Sequence, residues 1–148
     1  MTIRVLVADD QAMIRGALAG LLNLEHDIEV VAQAADGVQV LEELTRLTRQ
    51  NAPLDTIPTS SARPVSAVDV AIVDIEMPHM DGITTTEAIR ARFPGVRVLI
   101  VTTFGRPGYL QRALDAGATG FMVKNAPVEA LAEGVRTLAA GGRAIDQS

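Results

Sequence analysis

The stretch VDVAIVDIEMPHMDG, residues 68–82, decides how this chain is organised. The residues before Asp74 are mostly apolar and β-branched, which is typical of a strand that is buried on both faces of a sheet. Asp74 ends that run, and a loop containing Pro78 and Gly82 follows it. A carboxylate at the tip of a buried strand costs free energy unless a metal, a partner or a reacting group is bound there. This stretch therefore predicts a functional site at one edge of a sheet.

Strand and helix patterns alternate along the rest of the chain. Strands are predicted at 3–8, 28–34, 68–74, 96–102 and 120–123, and helices at 11–24, 38–50, 84–93, 108–116 and 128–140. Apolar strands that alternate with helices favour a parallel sheet covered on both faces by right-handed crossovers. We therefore expect one doubly wound α/β domain with five parallel strands. On the first helix, the residues that share one apolar face and are expected in the core are Ile14, Leu18, Leu21 and Leu22.

The composition excludes several classes of protein. The 148 residues are 48% hydrophobic, enough for a single globular core. The net charge of −5 argues against binding a nucleic-acid backbone directly, and the absence of Cys excludes disulfides and thiolate metal sites. The N-terminus does not have the pattern of a signal peptide, and no apolar stretch approaches the roughly 18 residues of a membrane span. A cytoplasmic protein without membrane contact is expected.

Two segments interrupt the alternation. Residues 51–67 contain three Pro and three Ser with little apolar periodicity, so we expect a long loop insertion at that position. Residues 143–148 are expected to begin a linker, which leaves the globular domain at 1–142. The loop is interpreted as a tolerated surface insertion rather than as a binding element.

Polar residues follow the predicted strands at their carboxyl ends, where open α/β sheets bind ligands. They are Asp9 and Asp10 after the first strand, Asp74 on the third, Thr102 and Thr103 on the fourth, and Lys124 after the fifth. Three carboxylates at one edge repel each other and require a cation or raised pKa values. Oxygen ligands without Cys suit Mg²⁺, and a hydroxyl and an ammonium opposite the metal suit a phosphoryl group. The pattern predicts an anion and Mg²⁺ beside a nucleophilic carboxylate.

Four short motifs carry a resemblance to a known family. VADDQ (7–11), DIEMPHMDG (74–82), VTT (101–103) and FMVK (121–124) resemble, in order and spacing, the receiver domain of two-component response regulators. The resemblance runs from Ile3 to about Gly142 and implies a flavodoxin/CheY-like (βα)5 fold. The segments 102–141 and 16–25 are similar to the NarL/LuxR group, and especially to the DesR-like regulators associated with membrane-lipid desaturation.

The resemblance implies a role for each acidic residue. Asp74 matches the phosphoacceptor, whose carboxylate attacks the phosphohistidine of a sensor histidine kinase. Asp10 is implied to bind Mg²⁺ directly and Asp9 largely through water, and Asp74 is implied to be a further ligand of the metal. Glu76 matches the position whose backbone carbonyl binds the metal.

The resemblance also implies roles for the residues on the fourth and fifth strands. Lys124 is implied to pair with the phosphoryl oxygens, and Thr102 to rotate toward them. Thr103 fills a position where a smaller residue is common, which narrows access to the phosphoryl group. Phe121 matches the aromatic switch position, but it has no hydroxyl, so switching there is expected to be a packing change.

Partners are implied by the same resemblance. Members of the group carry a helix-turn-helix DNA-binding domain after a linker, so DNA contact is expected only through a domain missing from this chain. The chain is expected to be part of a longer regulator, with a single-domain regulator as the alternative. It is not expected to be an enzyme, since it catalyses only its own phosphorylation and dephosphorylation.

A homodimer that forms on phosphorylation is hypothesised through the first and last helices. The residues of this dimer face are Met13, Ala17, Gly20 and Leu24 on the first helix, with the small residues Ala130 and Gly134 on the last. These apolar residues lie outside the predicted core face, and a helix that is apolar nearly all round usually buries a second face. The other candidate surface comprises the fourth helix, fifth strand and fifth helix, including Tyr109 and Arg112.

Two other functions remain open at this point. Asp74-Ile75-Glu76 after a strand is also similar to phosphatases of the haloacid-dehalogenase type, which use an aspartyl nucleophile, Thr, Lys and Mg²⁺. In those enzymes, however, the nucleophile belongs to the first strand and a cap usually encloses the substrate. A phosphorylation-independent pseudo-receiver that acts as a docking module is the other alternative, although the complete set of acids, Thr and Lys argues against it.

Overall fold

The computed structural model of this chain describes residues 2–51, 68–103, 108–124 and 126–145. Its elements are β1 (Ile3–Ala8), α1 (Ala12–Asn23), β2 (Ile28–Ala34), α2 (Gly37–Asn51), β3 (Val70–Asp74), α3 (Gly82–Arg92), β4 (Arg97–Thr102), α4 (Tyr109–Ala116), β5 (Gly120–Val123), α5 (Val128–Ala139) and β6 (Ala144–Ile145). The strands form one parallel sheet in the order β2-β1-β3-β4-β5-β6. No helix in the described ranges has both the length and the apolar character needed to cross a bilayer.

The predicted fold class is confirmed. The bounds of β1, β2 and β5 are those predicted, and every other predicted element ends within two residues of its observed limit. The structure adds a sixth strand, since Ala144 and Ile145 pair with Gly120 and Phe121. The linker predicted at 143–148 stays a prediction, with the addition that two of its residues belong to the sheet.

The predicted long loop lies almost entirely outside the described residues. Asn51 is the last residue of α2, so the helix continues one residue into the range predicted as loop. Residues 52–67 are not among the residues described, and the insertion therefore stays a prediction from the sequence.

The core consists of two apolar layers, one on each face of the sheet. Alternate residues of a strand point to opposite faces, so Leu6 lies in one layer while Val5 and Val7 lie in the other. The layer with Leu6 also contains Ile89 of α3, and the opposite layer contains Val135 of α5. Every residue of β3 is buried, as the run before Asp74 predicts.

The predicted core face of α1 is wrong for two of its four residues. Leu22 is fully buried and Leu18 is partly buried, but Ile14 is 37% exposed and Leu21 is 43% exposed. The small residue Ala19 faces the core together with Leu22. Because α1 is apolar nearly all round, periodicity does not identify the face that meets the sheet.

The strand order brings the carboxyl ends of the central strands together. β3 lies between β1 and β4, so Ala8 pairs with Val73 and Asp74 pairs with Val101. At the next strand, Thr102 pairs with Val123. The residues that follow these strands therefore meet at one edge of the sheet.

Candidate functional site

Three carboxylates meet at this edge. Asp9 and Asp10 follow β1, Asp74 ends β3, and one carboxylate oxygen from each lies within 4.8 Å of the others. Asp9 is only 1% exposed and Asp74 only 4%, whereas Asp10 is exposed to solvent. The sequence-based expectation that these acids lie together agrees with this geometry.

Asp9 makes contacts through both its backbone and its carboxylate. Its backbone N–H donates to the Ala34 carbonyl at 3.0 Å, and its carbonyl accepts from Arg15 Nη1 at 2.9 Å. Its Oδ1 accepts from the Gln11 backbone N–H at 2.9 Å. Its Oδ2 lies 2.7 Å from Lys124 Nζ but has no partner in hydrogen-bond geometry among the described residues. This buried oxygen is thus paired by charge and can still accept a ligand.

Lys124 is the cation of the site. It follows β5, and its backbone N–H donates to the Thr102 carbonyl at 2.8 Å, which holds it beside the end of β4. Its Nζ also donates to Asp74 Oδ2 at 3.0 Å. Burial lowers the pKa of Lys124, but the interactions of its ammonium with the Asp9 and Asp74 carboxylates outweigh this effect and raise the pKa overall. The ammonium is therefore charged at neutral pH.

The electrostatic environment of Asp74 favours the addition of positive charge. Burial raises the pKa of Asp74 because the charged carboxylate loses solvation, and the negative charge of Asp9 raises it further. The hydrogen bond with Lys124 lowers the pKa but does not cancel the other effects. One ammonium thus does not compensate the buried acids fully, whereas a bound cation would favour the ionised form.

The loop after Asp74 turns sharply within a few residues. Met80 N–H donates to the Pro78 carbonyl at 2.7 Å across His79, whose φ of 68° lies in the left-handed region. Gly82 N–H then donates to the Ile75 carbonyl at 2.8 Å. A Cβ on Gly82 would lie 2.3 Å from the carbonyl oxygen of Asp74, so only glycine fits there. The loop therefore depends on the close approach of Gly82 to the backbone of Asp74.

The donor set fits a hard divalent cation. Asp9, Asp10 and Asp74 supply carboxylate oxygens only, which are the ligands that Mg²⁺ prefers. Mg²⁺ usually keeps several waters, which would complete its coordination beside these carboxylates. The Asp9 Oδ2 atom, buried without a hydrogen bond, is the clearest structural sign of a cation site.

The other predicted site residues lie on β4, on β5 and in the loops after β3 and β4. Thr102 is buried at the end of β4, and the next residue, Thr103, is exposed. Phe121 is buried on β5 in the layer that contains Ile100. The side chain of Glu76 is exposed, which is compatible with a role for its backbone alone.

The predicted dimer residues differ in exposure. On α1, Met13 is 89% exposed and Leu24 is 79% exposed, and Ala17 and Gly20 are also exposed. On α5, Ala130 is partly buried against the core. The remaining residue, Gly134 on α5, is buried, and a Cβ there would lie 3.0 Å from Met122 Sδ and 3.6 Å from Ala144 Cβ. The small size of Gly134 is therefore explained by contacts within the chain.

One residue of the site was missed in the sequence. Arg15 lies one helical turn after Gln11 and reaches back to the Asp9 carbonyl. An arginine in the first turns of a helix after two acids is a weak signal, because such a residue usually faces solvent. Only the tertiary structure identifies its partner.

The comparisons with known proteins agree with this geometry. The family model described as the response regulator receiver domain matches residues 5–136. The chain is 37% identical over 141 residues to the transcriptional regulatory protein DesR of Bacillus subtilis. The aligned region covers 95% of this chain and 60% of that protein. It is 35% identical over 144 residues to the oxygen regulatory protein NreC of Staphylococcus epidermidis, covering 97% of this chain and 57% of the relative.

A solved structure of a similar protein has the same fold as this chain. A two-component response regulator of the LuxR family from Aurantimonas superposes with a TM-score of 0.77 at 27% identity. The superposition covers 97% of this chain and 89% of that chain. The chain spans about 60% of the length of the curated relatives described above.

Proposed function

Because the chain belongs to the response regulator receiver family, in its NarL/LuxR type, we propose that Asp74 accepts a phosphoryl group from a histidine kinase with Mg²⁺ bound beside it. The observation that carries this proposal is the position of Lys124 Nζ, 3.0 Å from Asp74 Oδ2 and 2.7 Å from Asp9 Oδ2. A nucleophilic carboxylate, a second acid and a cation converge there at an open edge of the sheet. This is the arrangement that phosphoryl transfer to a carboxylate requires.

The transfer involves one bond formed and one broken. An oxygen of the ionised Asp74 carboxylate forms the new bond to phosphorus, and the bond between phosphorus and the donor histidine nitrogen breaks. The electron pair of the broken bond returns to the imidazole ring. The product is an acyl phosphate on Asp74, and the chain supplies positioning and charge stabilisation rather than a further reacting group.

Charge stabilisation comes from both sides of the phosphoryl group. Mg²⁺, held by Asp9, Asp10, Asp74 and the Glu76 carbonyl, would neutralise charge on the phosphoryl oxygens and on the acids. Lys124 contacts Asp74 without the metal, and it is placed to exchange this contact for a phosphoryl oxygen. Thr102, buried at the end of β4, is the neighbouring hydroxyl that can turn toward the same group, with Thr103 bounding the access.

Phosphorylation is proposed to favour a homodimer through α1. Met13 and Leu24 are large apolar side chains that are almost fully exposed, and Ala17 and Gly20 allow close approach between them. The exposed Ile14 and Leu21 widen this apolar surface beyond the residues predicted from the sequence. On α5, Ala130 is proposed to lie at the border of this dimer face. Gly134 packs inside the chain and does not form part of the exposed dimer face.

We propose that a longer regulator, of which this chain is a part, provides the output. The curated relatives extend well beyond the matched region and include transcriptional regulators. We propose that residues 1–142 form the receiver domain, with the insertion at about 51–67, and that residues 143–148 lead toward a helix-turn-helix domain that contacts DNA. A packing change at Phe121 is proposed as part of the signal to that domain.

The two alternatives considered from the sequence have less support. Relatives of this chain are response regulators rather than classical enzymes, and the nucleophile lies on β3 rather than on β1. A docking module that is never phosphorylated would not need Lys124 between two buried acids. The receiver chemistry uses each of these residues.

Intact-mass spectrometry after incubation with acetyl phosphate and Mg²⁺ tests the proposal. We expect one phosphoryl adduct on the wild-type chain, none with EDTA, and none on Asp74→Asn. The matched control is Asp115→Asn, which alters an exposed acid on α4 and should leave the adduct intact. An adduct that persists in Asp74→Asn would assign the chemistry to another residue. If acetyl phosphate fails, a second run with a phosphorylated histidine kinase as donor decides.

A further inference from the structure

Arg15 makes an unusual contact for an arginine beside three carboxylates. Its Nη1 donates to the backbone carbonyl of Asp9 at 2.9 Å, and among the residues that the structure describes it forms no ion pair with an acid. The side chain is partly buried between α1 and the end of β1. The guanidinium is therefore committed to a carbonyl oxygen rather than to the carboxylates around it.

We infer that Arg15 is a positioning residue for cation binding, which orients the Asp9–Asp10 peptide so that both acids face Asp74. The inference rests on the proposed function of this site and deepens it. The Asp9 carbonyl belongs to the same rigid peptide plane as the N–H of Asp10. Holding that carbonyl therefore sets the direction in which Asp10 leaves the strand.

Asp10 depends on this contact more than Asp9 does. Asp9 has three further contacts, through its N–H, its Oδ1 and its Oδ2. The exposed side chain of Asp10 has no hydrogen bond or ion pair within the described part of the chain. Its position is thus determined by the backbone, which two side-chain contacts hold: Arg15 Nη1 donates to the Asp9 carbonyl, and Asp9 Oδ1 accepts from the Gln11 N–H.

Charge and geometry predict opposite effects when Arg15 is removed. A positive charge beside a cation site repels the cation, so its loss by charge alone would strengthen Mg²⁺ binding. Loss of the carbonyl contact frees the peptide and scatters the ligand oxygens, which weakens Mg²⁺ binding. Contacts that orient metal ligands typically contribute about 10- to 100-fold in metal affinity. The sign of the change in affinity therefore separates the two roles.

Titration calorimetry with MgCl₂ on the unphosphorylated chain provides the measurement. We expect Arg15→Gln to raise the Mg²⁺ dissociation constant about tenfold. Arg15→Lys keeps a charged nitrogen that can donate to the carbonyl, though without the planar guanidinium geometry, and should bind Mg²⁺ more weakly than the wild type but more tightly than Arg15→Gln. The control, Arg143→Gln, removes the same charge from an exposed position before β6 and should leave the affinity unchanged.

An unchanged or lowered dissociation constant in Arg15→Gln would overturn the inference, because Arg15 would then act only as a nearby charge. If Arg15→Gln does not fold, the comparison of Arg15→Lys with the wild type decides, and equal affinity would overturn the inference. Mass spectrometry of the wild-type chain with acetyl phosphate keeps the two proposals apart. No adduct with any phosphodonor would contradict the phosphoacceptor role of Asp74, whereas the calorimetric result concerns Arg15 alone.

Discussion

Lys124 Nζ lies 2.7 Å from Asp9 Oδ2, so the ammonium of the site stands against an acid that is proposed to bind metal. The same nitrogen contacts Asp74 at 3.0 Å. Lys124 is therefore the cation shared by both buried acids. A divalent ion bound to Asp9 would weaken this pair, and the freed ammonium would then be available to a phosphoryl oxygen.

Replacing Lys124 by Met should have opposite effects on stability and on Mg²⁺ affinity. Breaking a buried ion pair leaves uncompensated carboxylates, which should lower the free energy of unfolding in EDTA by roughly 3–5 kcal/mol. The Mg²⁺ dissociation constant should fall about tenfold, which corresponds to roughly 1.4 kcal/mol, because the competing cation is gone. Urea unfolding with EDTA and with MgCl₂ measures both effects. Equal losses of stability in the two conditions would contradict the proposed competition.

Gly82→Ala should disturb the site through the backbone of Asp74. The new Cβ would lie 2.3 Å from the Asp74 carbonyl oxygen, and relieving such a contact should cost roughly 1–3 kcal/mol of stability. The rate of phosphorylation by acetyl phosphate should fall as well, since the displaced residue is the proposed nucleophile. Gly16→Ala on α1 is the control, because its Cβ meets nothing within 4 Å. That substitution should stabilise the chain by roughly 0.5–1 kcal/mol, the gain expected for alanine in a helix.

Charging the exposed face of α1 should abolish the proposed phospho-dimer. In a double variant with Met13→Lys and Leu24→Lys, two large apolar side chains are lost from the surface. Burial of two such side chains contributes roughly 3 kcal/mol or more, so the dimer should weaken about 100-fold or more. Light scattering of the phosphorylated chain measures the change, with Val38→Lys on α2 as the control at another exposed apolar position. A normal phospho-dimer in the double variant would move the interface elsewhere, and the surface with Tyr109 and Arg112 would be tested next.

The ion pairs between α5 and the turn before β2 should make stability depend on pH in the acidic range. Arg136 contacts Asp27 at 2.8 Å through two nitrogens and Glu25 at 2.7 Å. The hydrogen bond with Arg136 lowers the pKa of Asp27 from its ordinary value of 3.8 to about 2. Because the folded-state pKa is the lower one, the stabilisation is present above pH 3.8 and is lost as the pH falls toward 2.

Asp27→Asn isolates this contribution. The urea midpoint of the variant should lie below that of the wild type at pH 6, and the difference should disappear by about pH 2. Asp115→Asn, on the exposed side of α4, is the control, and its urea midpoint should differ less from that of the wild type over the same pH range. A difference for Asp27→Asn that stays constant with pH would show that the side chain acts through packing rather than charge.

The sequence by itself determined the order of strands and helices and the residues at the carboxyl ends of the strands. Apolar runs such as IRVLVA and VDVAIVD have a local signature, because strands covered on both faces must be apolar throughout. The meeting of Asp9, Asp10 and Asp74 then follows from parallel topology, since parallel strands end at the same edge. Lys124 could be placed near them for the same reason.

The tertiary structure alone decided which contacts these residues make. The exposure of Ile14 and Leu21 depends on how α1 lies on the sheet, and an almost wholly apolar helix does not encode that rotation in its periodicity. The strand at Ala144–Ile145 has only two residues, too few for a pattern, and exists because the chain turns back along β5. The bond from Arg15 to the Asp9 carbonyl and the double contact of Lys124 join residues through space. Whether these contacts form depends on how the elements pack. The sequence pattern specifies only which kinds of residue are available at each position.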